Sequence, residues 1–83
     1  MDVVIRDSAF KHSISVYTIN VCLLHIHAEL IPDDNPEKRL FVGFDHNANP
    51  PEITGVMEGD TLVVIHAMKL RSQFYYLLKE QTI

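Results

Sequence analysis

The order of apolar and polar positions predicts helical turns in the first third of the chain. Residues 3–5 are a short β-branched run that suits either a strand or an extended lead-in segment. Asp7 or Ser8 is a suitable N-cap for one or two helical turns after it. In residues 13–27, apolar side chains recur at spacings of three and four, which predicts a helix with one apolar stripe. The stripe consists of Val16, Ile19, Leu23 and Ile26, and the cap is Ser13 or Ser15.

The rest of the chain predicts an antiparallel meander. Residues 28–31 give a short extended piece before a turn rich in Pro, Asp and Asn. A strand follows over residues 39–47. Residues 61–69 are the strongest strand, and Gly59 allows the tight turn that pairs them with the strand before. Gly55 interrupts that earlier strand, which suggests a β-bulge there.

Strand geometry also assigns side chains to faces, because successive residues of a strand point to opposite sides of the sheet. The two closing elements are a strand over 61–69 and a short helix over 71–81. The expected fold is therefore α+β, with N-terminal helices, a three- to four-stranded antiparallel sheet and a C-terminal helix, the helices packing on one face. The sets expected to share a face are Leu40, Val42 and Phe44 against Phe41, Gly43 and Asp45; Leu62, Val64, His66 and Met68 against Val63, Ile65 and Ala67; and Phe74, Leu77 and Leu78 in the last helix.

The composition describes one small domain over residues 1–83. Hydrophobic residues make up 47% of the chain, which is enough for a core, and Cys22 in its apolar run is expected to be a buried thiol. No basic leader precedes an apolar run and no apolar stretch is long enough to span a membrane, so we expect a cytoplasmic protein. The net charge of −4 argues against a general nucleic-acid coat, although it leaves room for a local basic site.

Candidate acid–base chemistry concentrates at His66, near the end of the strongest strand. An imidazole titrates close to neutral pH, so it can serve as a general acid or base. Lys69 and Arg71 follow within five positions and would attract an anion such as phosphate. The alternative interpretation is a partly buried, hydrogen-bonded structural histidine.

A second cationic group lies near the start of the chain. Arg6, Lys11 and His12 would complete a basic pocket if the first helix packs beside the end of the 61–69 strand. In that case Lys11 or His12 should lie close to His66 or Arg71. Solvated surface cations are the alternative.

The remaining histidines are a weaker candidate for a metal site. His25 and His27 would share a face in a strand, whereas in a helix they diverge by roughly 200°. The chain has no zinc-finger spacing, calcium loop, nucleophile elbow, phosphate-binding glycine loop or dinucleotide fingerprint. We therefore expect neither a metal nor a cofactor.

The segment "IRDSAFKHSIS" resembles the "KHGVS" segment of BrnT-type toxins, the ribonuclease halves of a bacterial toxin–antitoxin pair. The chain is also similar to short bacterial relatives of BrnT in which "KHG" precedes "GxD", a Glu-containing strand, and "VIHAM" followed by an arginine. The resemblance covers residues 5–79, with Ser13 at the glycine of "KHG" and Met68 where the toxins tend to carry arginine. The matching elements are Lys11 and His12, Gly43 with Asp45, Glu52, residues 64–68 and Arg71.

This resemblance implies a RelE-like fold, metal-independent RNA cleavage and neutralisation by a cognate antitoxin. Cleavage through the 2′-hydroxyl needs a base, a cation for the phosphate and an acid for the leaving oxygen. A second hypothesis is a non-catalytic member of the same fold that binds a protein partner or forms a homodimer. An adjacent gene for a small acidic or DNA-binding protein would favour the toxin. The implied catalytic residues are Lys11, His12, His66 and Arg71, and the implied phosphate- or RNA-binding residues are Arg6 and Lys69.

Overall fold

The computed structural model describes residues 2–32, 34–44 and 49–79. These residues form a small α+β domain with one five-stranded sheet. Among them, no helix is long and apolar enough to cross a membrane. The elements are β1 (Asp2–Ile5), an N-terminal 3₁₀ helix (Asp7–Phe10), α1 (Val16–Leu24), β2 (Ala28–Leu30), β3 (Lys38–Val42), β4 (Pro51–Glu58), β5 (Thr61–Lys69) and a C-terminal 3₁₀ helix (Ser72–Leu78).

The sheet has the strand order β1-β5-β4-β3-β2 and is mixed. The pairs β2–β3, β3–β4 and β4–β5 are antiparallel, and Gly59 adopts a left-handed φ of 63° in the turn that joins β4 to β5, as predicted. The expectation of a purely antiparallel sheet of three or four strands is wrong. The β-branched run at the start forms β1, which pairs in parallel with residues 61–64 and makes β5 an inner strand.

Helix α1 begins where one of the two candidate caps predicts and ends earlier than expected. The hydroxyl of Ser15 accepts a hydrogen bond from the backbone N–H of Thr18, so Ser15 is the cap. The predicted stripe is only partly correct, because Val16 is exposed and Ile26 lies beyond the end of the helix. The buried face instead carries Ile19 and Cys22, three residues apart.

Gly43 allows α1 to approach the sheet closely at Cys22. A Cβ atom at position 43 would lie 3.0 Å from the Cβ atom of Cys22 and 3.1 Å from its Cα atom. These distances are tighter than ordinary van der Waals contact, so a larger residue would push α1 away from β3. Gly43 therefore has a packing role. Asp45, which shares the "GxD" motif, lies outside the described residues.

The core is divided between the two faces of the sheet. On the α1 face, Ala9, Ile19, Cys22 and Phe41 pack with buried residues of β4 and β5. On the opposite face, Leu40 and Val42 pack with Leu70 and with the C-terminal segment. Helical segments therefore cover both faces, and the expectation that they share one face is wrong. The predicted separation of Leu40 and Val42 from Phe41 is confirmed.

A β-bulge in β5 changes which side chains share a face. Thr54 pairs with His66 and Gly55 pairs with Val64, which leaves Ile65 as the extra residue. The predicted irregularity is present beside Gly55, but the added residue is in the partner strand. As a result Ala67 joins Val64 in the α1-face core, and the predicted alternation through β5 is wrong beyond the bulge.

The closing segment is a 3₁₀ helix of seven residues rather than an α-helix over 71–81. Its first bond runs from the N–H of Phe74 to the carbonyl of Arg71, three residues earlier. Phe74, Leu77 and Leu78 all pack against the cluster of Leu40, Val42 and Leu70, so their shared face is confirmed. Residues 80 and 81 lie outside the described residues.

Candidate functional site

The side chains of His12 and His66 meet at the edge of the sheet. Their ring centroids are 5.0 Å apart and the ring planes are inclined by 68°. The predicted proximity between the N-terminal cationic group and the end of the 61–69 strand is therefore confirmed. We refer to Lys11, His12, His66 and Arg71 together as the histidine cluster.

The bulge places the histidine of β5 on the face opposite α1. His66 pairs with Thr54, and Thr54 pairs with Leu40, whose side chain belongs to the core of that face. Residues that are directly opposite in neighbouring strands point to the same side of a sheet. His66 therefore lies on the same face as Leu70 and the C-terminal 3₁₀ helix.

The N-terminal 3₁₀ helix brings His12 to this position by binding the bulged part of β5. The N–H of Arg6 donates to the carbonyl of Val64 at 2.9 Å, and the hydroxyl of Ser8 donates to the carbonyl of Ile65 at 2.7 Å. These bonds fix the short helix along the edge of β5, just beyond the end of β1. The chain then turns at Ser13, which has a left-handed φ of 63°.

The environment of His66 disfavours its charged form. Partial burial lowers the pKa of His66 below its usual value, and the nearby charge of His12 lowers it further. Arg71 and Lys11 act in the same direction, while the carboxylate of Glu52 raises the pKa. The other three residues of the cluster thus act electrostatically on the imidazole of His66.

A sulfur atom next to His66 selects its tautomer. The Nε2 atom of His66 lies 2.9 Å from the Sδ atom of Met68, two residues along the same strand. A thioether sulfur only accepts hydrogen bonds, so this contact places the proton on Nε2. The other ring nitrogen, Nδ1, then carries the lone pair and is the atom that can take up a proton.

Arg71 is held by a buried acid. Glu52 is 0% exposed, and its carboxylate accepts bonds from the backbone N–H, Nε and Nη2 of Arg71 at 3.0, 2.9 and 2.8 Å. Hydrogen bonding to Glu52 raises the pKa of Arg71. The arginine side chain remains 45% exposed, and its guanidinium carbon lies 5.1 Å from the ring centroid of Phe74. The guanidinium therefore has a fixed position with one side open to solvent.

One of the two predicted phosphate-binding residues, Lys69, is placed away from His66. Lys69 pairs with Pro51, two residues from Ile53, whose side chain lies in the α1-face core, so Lys69 points to the α1 face and away from His66. It lines a pocket of about 350 Å³ together with Ile14 and Thr18. Arg6 is exposed and binds β5 through its backbone.

The histidines considered as metal ligands have other roles. His25 ends α1, and its backbone N–H donates to the carbonyl of Val21 at 3.1 Å. The Nε2 atom of His27 lies 3.2 Å from the carbonyl oxygen of Leu78, and its ring packs against Phe44 with centroids 5.2 Å apart. Within the described ranges, no three side chains of His, Cys, Asp or Glu are grouped so as to hold a metal ion.

Glu52 is the residue of this site whose role the sequence did not predict. Its signal is a single carboxylate in an otherwise apolar strand, which must be paired if it is buried. The partner lies 19 positions away, so no local spacing connects the two residues. No family model, curated protein or solved structure matches this chain.

Proposed function

We propose that this chain is a metal-independent ribonuclease that acts at the histidine cluster. The observation that carries the proposal is the 5.0 Å approach of the two imidazole rings of His12 and His66. The chain has a net charge of −4, yet Lys11 and Arg71 are close enough to His66 to lower its pKa. Two imidazoles and two cations are the groups that cleavage of a phosphodiester by its own 2′-hydroxyl requires.

The two histidines have complementary roles in this reaction. His66 takes the proton of the 2′-hydroxyl on Nδ1, because its lowered pKa keeps it neutral at neutral pH. The 2′-oxygen forms a bond to phosphorus, and the bond from phosphorus to the 5′-oxygen breaks. His12 gives a proton to that leaving oxygen. The products are a 2′,3′-cyclic phosphate and a 5′-hydroxyl.

The cations stabilise the negative charge that develops on the phosphoryl oxygens. Lys11 supplies a point charge, while the open side of the Arg71 guanidinium supplies directed N–H groups. Glu52 neutralises part of the arginine charge and fixes its orientation. Tyr75 and Tyr76, in the C-terminal 3₁₀ helix that follows this arginine, are 50% and 55% exposed, and their rings are suited to stack on unpaired bases. The substrate is accordingly single-stranded RNA.

The resemblance to BrnT-type toxins supports the same proposal. Ser13, which stands at the glycine of the "KHG" segment, has a left-handed φ of 63°, a conformation that glycine adopts without strain. The proposal has three further parts: the fold is related to that of RelE, the protein acts in the bacterial cytoplasm, and a cognate antitoxin neutralises it.

Induced expression in bacteria tests this function. The wild-type protein should slow growth, reduce translation and fragment cellular RNA. His66→Ala should relieve these effects, because loss of one positioned acid or base costs about 10²–10⁴-fold in rate. His25→Ala, an exposed histidine at the end of α1, is the matched control and should remain toxic. Harmless expression of soluble wild-type protein with intact RNA would contradict the proposal.

A second candidate function is non-catalytic binding of a protein partner. Several large apolar side chains near β2 are exposed, with Leu24 at 77%, Ile31 at 46% and Phe44 at 38%. Such side chains are typical of protein interfaces when they are grouped. Stable co-purification of one partner, lost in Leu24→Lys while RNA stays intact with the wild type, would favour this function.

A further inference from the structure

The outer side of β1 is a free sheet edge among the described residues. β1 is the first strand in the sheet order, and its only described neighbour is β5. The N–H groups of Asp2 and Arg6 donate toward β5, to the carbonyls of Asp60 and Val64. Backbone groups alternate in direction along a strand, so those of Val3 and Ile5 point outward.

Proteins usually block such an edge, and apart from its short length and Asp2, β1 lacks the common blocking features. Its sequence, "DVVI", contains no proline, lysine or bulge, and Val3 and Val4 are 39% and 50% exposed. An uninterrupted edge with exposed valines is a template for pairing with another strand. The remaining question is which strand pairs with it.

The charges around β1 are complementary to a second copy of the same strand. In an antiparallel pair about a two-fold axis at Val4, Asp2 of one copy faces Arg6 of the other, and this occurs twice. Val3 of one copy then faces Ile5 of the other. These two residues form a hydrogen-bonded pair, because both point their backbone groups outward. Hydrogen bonding, charge and apolar contact are thus satisfied in one register.

The opposite edge of the sheet does not have this property. β2 is three residues long with exposed Glu29 at its centre. Symmetric pairing of β2 would place two Glu29 carboxylates opposite each other, and like charges directly opposite are destabilising. Glu29 is also 3.8 Å from Arg39 of the adjacent strand. Of the two edges of the described sheet, β1 is therefore the one that favours self-pairing.

We propose that β1 is a homodimerisation edge, through which two copies of this chain join their sheets into one continuous sheet of ten strands. The partner is a second copy of this chain, and the contact is independent of the histidine cluster. Because the contact is short, we expect a reversible dimer with a dissociation constant in the range of about 1–100 µM.

Charge reversal combined with sedimentation velocity tests the register. Asp2→Arg and Arg6→Asp should each weaken self-association about tenfold, since each places like charges opposite one another. Mixing the two variants should restore dimers, because every cross-strand charge pair is then opposite in sign. A wild-type protein that is monomeric at up to about 1 mM would overturn the proposal, and so would a mixture that stays monomeric.

A central variant and amide exchange provide independent checks. Val4→Lys puts two like charges on the two-fold axis and should abolish the dimer, whereas Leu24→Lys, at another exposed apolar position, should not. The amides of Val3 and Ile5 should exchange more slowly at high protein concentration. Equal loss of the dimer in both lysine variants, or concentration-independent exchange at Val3 and Ile5, would place the contact elsewhere and overturn the proposal.

Discussion

Arg71 binds the buried carboxylate of Glu52 and donates to it from its backbone N–H, Nε and Nη2. Glu52 lies in β4, and Arg71 directly precedes the C-terminal 3₁₀ helix. The pair therefore fixes the start of that helix to the sheet. It also gives Arg71 a structural role in addition to its proposed contact with phosphate.

Replacement of Arg71 should destabilise the fold. Arg71→Ala leaves a buried carboxylate without its partner and is expected to cost about 3 kcal/mol in the free energy of unfolding. Urea denaturation of the purified variant measures this loss. Glu52→Gln in the same background should recover part of it, since a neutral amide is less costly to bury than an unpaired charge. An Arg71→Ala variant as stable as the wild type would contradict the structural role.

Replacement of Ser13 by glycine should stabilise the fold. Its φ of 63° is a left-handed conformation that is strained for a residue with a Cβ atom. Ser13→Gly is therefore expected to stabilise the protein by about 0.5–1 kcal/mol. Thermal denaturation checks this, with Ser15→Ala as a matched serine that should lower stability by about 1 kcal/mol through loss of the α1 cap. A lower melting temperature for Ser13→Gly would show that the turn does not require this conformation.

His66 should make stability depend on pH below neutrality. Its pKa in the folded state is lowered from the usual value of 6.5, so the unfolded chain binds the proton first as the pH falls. The stability contributed by the neutral imidazole is fully present above pH 6.5 and is lost as the pH falls through the lowered pKa. Between about pH 7.5 and 5.5, His66→Gln should lose less stability than the wild type.

Urea denaturation at several pH values provides this comparison, and His25→Gln is the matched control for replacing an exposed imidazole. A His66→Gln variant with the same pH dependence as the wild type would show that His66 is not the group responsible.

The hairpin of β4 and β5 was predictable because its signals are local. Gly59 marks the turn, and the β-branched runs on either side pair directly across it. The pairing of β1 with β5 was not predictable in the same way, because parallel strands are brought together by contacts distant in sequence. The extra residue at Ile65 also escaped prediction, since a bulge depends on the partner strand as much as on its own sequence.

The candidate site likewise combines features that the sequence predicts with features that it does not predict. His12 and His66 were expected to lie close together from the order of the elements, and the structure brings their rings into contact. Nearness in sequence predicts that Lys69 lies beside His66, yet the pleat of β5 turns Lys69 to the α1 face. The binding of Arg71 by Glu52 could be seen only when β4 and the C-terminal segment were placed side by side.

The chemical nature of RNA ends after incubation with the purified protein tests the central claim most directly. In the presence of EDTA, the wild type should produce 2′,3′-cyclic phosphate and 5′-hydroxyl ends from single-stranded RNA, and it should leave 2′-O-methylated RNA intact. His12→Ala and His66→Ala should each reduce the rate by about 10²-fold or more. RNA that stays intact with folded wild-type protein, 5′-phosphate ends, or undiminished cleavage by His66→Ala would contradict a ribonuclease that acts through the histidine cluster.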